Sequence, residues 1–188
     1  MMMHMRTSRD IIVIYEFREL TIGQHTYKSR IIRVDTRYFW EVLCDGTRVL
    51  LIDLGEALII SAEVVCKVIG IKFSQVIQWR YIETICEFIG DLLGMTKVIL
   101  KERRTIFNSG PIHIFGRIYR FRVVLSNGDY VFELLENGSK VLSVKLEDIL
   151  APGAEYLCRV VSTIFWRLPY SIVDILCDFI ADLIRLLV

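Results

Sequence analysis

Two rhythms of apolar residues succeed one another along the chain, and the succession then happens a second time. Over residues 11–20, 26–34, 38–44 and 47–53, β-branched and aromatic residues come in short runs bounded by turn formers, which predicts strands. From residue 56 the apolar positions recur at helical spacing, over 56–69 and again over 74–93. The second half repeats the change, with strands predicted over 97–107, 113–125, 129–136 and 139–146 and helices over 147–162 and 171–187. Pro152-Gly153 interrupts the first of those helices and Pro169 lies just ahead of the second. Asp45-Gly46 and Asn137-Gly138 sit at matching hairpin positions, because these residue types tolerate positive φ, and Asn127-Gly128 supplies a further turn.

The two successions match residue by residue. Residues 39–69 align with 131–161 without a gap, and eleven of the thirty-one pairs are identical. Chance gives about two at average composition. The identities include Glu41 with Glu133, Gly46 with Gly138 and Cys66 with Cys158, and closing up by one residue carries the match from Ile82–Leu93 onto Val173–Ile184. The expected architecture is therefore α+β: a tandem duplication in which each repeat is a small antiparallel sheet or partial barrel followed by two apolar helices, the copies being related by a pseudo-two-fold axis. The repeats are placed at 1–95 and 96–188, packed as one compact unit.

Composition sharpens this in three ways. Hydrophobic residues make up 54% of the 188 positions and the mean hydropathy is +0.47, which excludes a disordered chain and points either to an unusually complete core or to apolar surface covered by partners. No uncharged stretch approaches the roughly 20 residues of a spanning helix, and Met1–Asp10 lacks the apolar core of a secretory signal. The expected location is intracellular, cytoplasmic or within a virus particle. The five cysteines are odd in number, form no Cys-x-x-Cys pair and lie mostly among aliphatic residues, so they read as buried thiols. The scarcity of Asn and Gln beside abundant Ile, Val and Arg is a thermophile-like balance.

Net charge is only +1, but it is segregated. Residues 97–146 hold nine Lys/Arg against four Asp/Glu, whereas 147–188 hold three against six. The strand-rich parts are thus the basic side. Lys28 and Arg30, two apart on one strand, share a face, as do their counterparts Arg120 and Arg122, with Arg117 just upstream and Arg48 and Lys140 beside the matching hairpins. Tyr27 and Tyr119 lie next to these cations. Cations interleaved with aromatic rings suit a nucleic-acid backbone and its bases, so these nine residues are the expected nucleic-acid-binding set; solvated faces of half-buried strands are the plain alternative. On the long helices, Glu83, Glu87 and Asp91, and likewise Asp174, Asp178 and Asp182, fall four apart, giving one polar stripe on an otherwise apolar cylinder. That stripe is either a solvent-facing edge or a rail for a basic partner.

A search for chemistry finds little. His4, His25 and His113 stand apart, and there is no phosphate loop and no Gly-x-Ser-x-Gly elbow. Glu41 and Glu133 are the least ordinary carboxylates, but the Glu-x-Lys companion of a metal-dependent nuclease is missing. No catalytic residue, metal ligand or cofactor is expected. The leading expectation is a non-enzymatic, self-associating structural protein, a nucleoprotein or capsid-like building block whose partners are other copies of itself and DNA or RNA, with no membrane span. The alternatives are a discrete DNA- or RNA-binding regulator and, behind it, a nuclease.

Overall fold

The computed structural model describes residues 10–101, 106–150 and 155–187. Residues 1–9 of Met1–Asp10, with His4, and the helix interruption at Pro152-Gly153 lie outside the described residues. The first sheet is built from β1 (Ile11–Glu16), β2 (Leu20–Ile22), β3 (His25–Val34), β4 (Arg37–Cys44) and β5 (Thr47–Gly55). All its pairings are antiparallel, in the order β1-β3-β4-β5, with β2 on the free part of β3. Two helices follow, α1 (Ala62–Phe73) and α2 (Trp79–Thr96), and α2 runs on into a π-helical turn, Lys97–Lys101.

The second sheet repeats that order with β6 (Phe107–Asn108), β7 (Ile112–Ile114), β8 (Arg117–Ser126), β9 (Asp129–Glu136) and β10 (Ser139–Lys145), arranged β10-β9-β8-β6 with β7 on β8. After it come α3 (Leu146–Leu150), α4 (Glu155–Ile164) and α5 (Tyr170–Leu187). The fold is α+β with two open antiparallel sheets of five strands, neither closing into a barrel.

Local chemistry explains most element boundaries. Both expected hairpins form, with Asp45 and Asn137 at positive φ followed by glycines in the same region. Each of these side chains also accepts a main-chain hydrogen bond from the strand beside its hairpin, Thr26 N of β3 to Asp45 and Ile118 N of β8 to Asn137. Helix α1 starts six residues later than expected, where Ser61 Oγ accepts from Val64 N and Glu63 sits in the positive first turn. Of the strand expected over 97–107, the described residues show Lys97–Lys101 extending α2 as a π turn and Phe107 pairing as a strand together with Asn108. A helix already nucleated adds residues at low cost, so the β-branched Val98 and Ile99 follow it despite their preference for strands.

The helices cross between the sheets. Phe179 of α5 lies 6.2 Å from Phe17 and 6.5 Å from Trp40 of the first sheet, while Phe88 of α2 meets Phe121 of the second sheet at 5.9 Å. Each long helix thus buries its aromatic face on the sheet it does not follow in sequence, and one continuous apolar core spans both sheets. The cysteines correct the expectation of buried thiols: Cys66 is bonded to Cys86 and Cys158 to Cys177, tying α1 to α2 and α4 to α5, and only Cys44 is free. Matching cysteines 19 and 20 residues apart on two packed helices were in view, but their approach is a property of the helix packing.

Candidate functional site

The outer faces of the sheets carry the cations that sequence patterning singled out, each wrapped around one carboxylate. Glu41, in the middle of β4, takes Arg30 Nε at 2.6 Å on one oxygen and Arg48 at 2.6 Å on the other. Burial alone pushes the Glu41 carboxyl up, but hydrogen bonds from the two arginines outweigh it and hold the group below the usual carboxylate range. Glu133 on β9 is engaged in the same way by Arg122 at 2.7 Å and Lys140 at 3.5 Å, and the Arg122 hydrogen bond leads in lowering its pKa. Lys28 pairs with Glu19 at 3.2 Å and Arg117 with Glu136 at 3.1 Å. Of the seven cations, only Arg120 forms no ion pair among the described residues. A cation whose charge is met inside the molecule has less left for a phosphate.

The two tyrosines correct the expected set. Tyr27 is 3% exposed and Tyr119 is fully buried, because residue parity turns them to the core side, opposite Lys28 and Arg120. No base can stack on either ring. The acidic stripe of α5 also finds a partner within the chain. Arg18, in the connection between β1 and β2, bonds Asp178 at 2.8 Å and Asp182 at 3.3 Å, and its own backbone N–H donates to Asp182 at 3.0 Å. The stripe runs from exposed Asp174 to buried Asp182, so it sinks into the α5 contact with the first sheet.

Three groupings were not legible in the sequence. Lys72 of α1 is 1% exposed; its Nζ stands 3.4 Å from Ser29 Oγ and 4.5 Å from the Phe179 ring centroid. Burial lowers its pKa to about 7, with Asp182 working in the opposite direction. His25, Cys44 and Asp45 place donor atoms within 4.8 Å of one another at an exposed hairpin. Asp45 already receives Thr26 N and meets His25 Nδ1 at 2.7 Å, and three donors are one short of a closed zinc site.

The third is a ladder of planar groups. Arg80 lies over Tyr81 at 4.7 Å, Tyr81 meets Phe115 at 5.1 Å, and Phe115 meets Trp166 at 5.8 Å. Arg167 stands 4.7 Å from Trp166 and 5.4 Å from Phe115, and Arg117 lies 4.9 Å from Trp166. Beside it opens a recess of about 350 Å³ lined by Arg80, Tyr81, Thr84, His113, Ile114, Phe115, Gly116 and Arg167, with no carboxylate among them. A signal existed in the doubled dipeptide Trp79-Arg80 and Trp166-Arg167, but the two lie 87 residues apart, and Arg80 and Arg167 reach one recess only because α2 packs on β7 and Trp166, in the α4–α5 connection, meets Phe115.

No helix among the described residues is long and apolar enough to cross a membrane. Compared with known protein families, with curated proteins and with solved structures, the chain matches none.

Proposed function

We propose that the protein is a non-enzymatic, self-associating structural protein, and that its contact with further copies is the outer edge of β1. The observation that carries this is the run Ile11-Ile12-Val13-Ile14, four aliphatic residues each 41–56% exposed on a strand that, among the described residues, pairs on one side only. An open, uncharged edge of this kind is a template for another strand.

The other sheet edges are blunted in ways β1 is not. β10 carries Lys140 and Lys145, β5 carries Arg48 and Asp53, and β6 is two residues long. The first charge on β1 comes at Glu16, after a bulge between Val13 and Tyr15. A second β1 edge offers the matching chemistry: no charge to desolvate and aliphatic side chains on both faces. The duplication of one unit about an approximate two-fold axis belongs to this same reading, supported by the shared strand order and the eleven identities.

The engagement of Glu41 and Glu133, each by two cations, argues against a metal-dependent nuclease, because those oxygens are already taken. It also weakens the outer sheet faces as nucleic-acid surfaces. Size-exclusion chromatography with light scattering is the test. A mass above 21.9 kDa that grows with concentration is expected, and Ile12→Lys or Val13→Lys should return it toward the monomer. A monomer at every concentration up to about 1 mM would remove the proposal.

A further inference from the structure

We infer that the ladder built on Arg80, Tyr81, Phe115, Trp166 and Arg167 is a binding site for a single-stranded polynucleotide. This goes beyond self-association, does not depend on the β1 contact, and moves the nucleic-acid surface from the sheet faces to the rim where α2 meets the second sheet.

The chemistry of the site asks for two things in one ligand. The rings meet at steep angles, 54° between Tyr81 and Phe115 and 68° between Phe115 and Trp166, so the flat groups offered to a base are the exposed Trp166 ring and the guanidinium planes, which serve as well as rings for stacking. The N–H rims of Arg80 and Arg167 ask for anionic oxygen, since neither forms an ion pair with a carboxylate among the described residues. The start of α2 adds to this demand: its first turn holds Arg80 and no acid, and Gln78 makes no side-chain cap. A base carried on a phosphate satisfies both requirements. A polymer is favoured over a single nucleotide because exposed rings continue past Phe115: Trp166, 43% exposed and in contact with Phe115, and Tyr170, 83% exposed, both line a second small cavity.

Phe115 is the second observation. Among the described residues five non-glycine residues have positive φ; four are Asp or Asn in turns, and the fifth is Phe115 at φ 51°. Bulky residues are strained in this region, and the corresponding turn of the first sheet holds Gly23 at φ 63°. The strain places an aromatic ring between Tyr81 and Trp166, where a glycine would leave a gap in the ladder.

The test is fluorescence anisotropy of the full chain with labelled oligo-dT and oligo-U about 15 nucleotides long, at low and moderate salt. Binding that weakens with salt is expected, with quenching of tryptophan emission. Arg167→Gln should lower the log–log salt slope by about 0.7, the loss of one phosphate contact. Phe115→Asn should weaken binding about tenfold with melting temperature unchanged or raised, because Asn suits the turn. Arg120→Gln should change nothing, and inorganic phosphate or a mononucleotide at millimolar concentration should not compete.

Four results would overturn the inference: no salt-dependent binding, wild-type affinity in both ladder variants, loss in Arg120→Gln instead, or phosphate or mononucleotide competing as well as polymer, which makes the recess a small-anion site. Repeating the titration in the Val13→Lys background separates this outcome from that of the assembly proposal.

Discussion

The two halves share a strand order and a disulfide pattern, yet they fill the same core position with opposite chemistry. Position 72 in the first half is a buried lysine, and position 164, ninety-two residues on, is a fully buried isoleucine. The surroundings differ to match. In the first half Phe17 N donates to Ser29 O, and in the second Ser109 N donates to Phe121 O, so phenylalanine and serine have changed places across one hydrogen bond. Ser29 gives Lys72 Nζ an oxygen, and α5 brings both Phe179 and Asp182 to it. In the second half Phe121 fills that space, and Ser109 Oγ accepts instead from Phe121 N at 2.9 Å. One scaffold therefore tolerates either a buried amine or an apolar side chain, provided that the residues around it change together.

The sharpest way to break this comparison is to move the lysine. Ile164→Lys places an amine among Phe residues without the serine, and about 4–5 kcal/mol of destabilisation is expected from an unpaired buried charge, measured by urea unfolding. Lys72→Ile should do the reverse near neutral pH. Its amine has a pKa of about 7 folded against 10.5 unfolded. Between those values the unfolded chain binds the extra proton, so stability rises with pH from about 7 to 10.5. Below 7 both states are protonated and the burial cost is present in full. The gain from Lys72→Ile is therefore expected to be largest at pH 6, several kcal/mol at most, and to vanish above pH 10.5. A pH-independent gain would show that the amine is not buried as described.

The disulfides should behave alike in the two halves, since Cys66–Cys86 and Cys158–Cys177 close loops of nearly equal length. Removing either with paired Cys→Ala changes should cost about 2–4 kcal/mol, and thiol titration of the unreduced protein should find one free cysteine, Cys44. The smallest contrast lies at the carboxylates. Glu41→Gln should cost more than Glu133→Gln, about 1–3 kcal/mol against about 1, because Glu41 is deeper and held by two arginines rather than by an arginine and a distant lysine. Both contributions are present above the unfolded carboxylate pKa and are lost as pH falls through the lower folded value. Equal losses would remove the distinction.

Much of the fold could be read from residue patterning because its causes are local. Hairpins at Asp45-Gly46 and Asn137-Gly138, strands from β-branched runs and helices from 3.6-residue periodicity all depend on a few neighbouring residues; the hairpins formed where expected, while the stretch 11–20 divided into β1 and the start of β2 and α1 began six residues late. Residues 97–101 formed no strand, because continuation of α2 overrode their strand preference. The candidate surfaces were less legible. Patterning named Arg30, Arg48, Arg122 and Lys140 correctly as residues of the outer sheet faces, but not that Glu41 and Glu133 would answer them. It put Tyr27 and Tyr119 with those cations, although odd and even positions of a strand face opposite ways.

The order of the elements, the turns, the residue-by-residue match of the two halves and the excess of apolar residues follow from the sequence, since each depends on spacing and residue type along the chain. Tertiary structure alone decided which sheet each long helix covers, that Lys72 is buried, that four cysteines pair, and that Tyr81, Phe115 and Trp166 stand in one ladder. Those are meetings between residues tens to more than a hundred positions apart, and no local rule carries a distance through space.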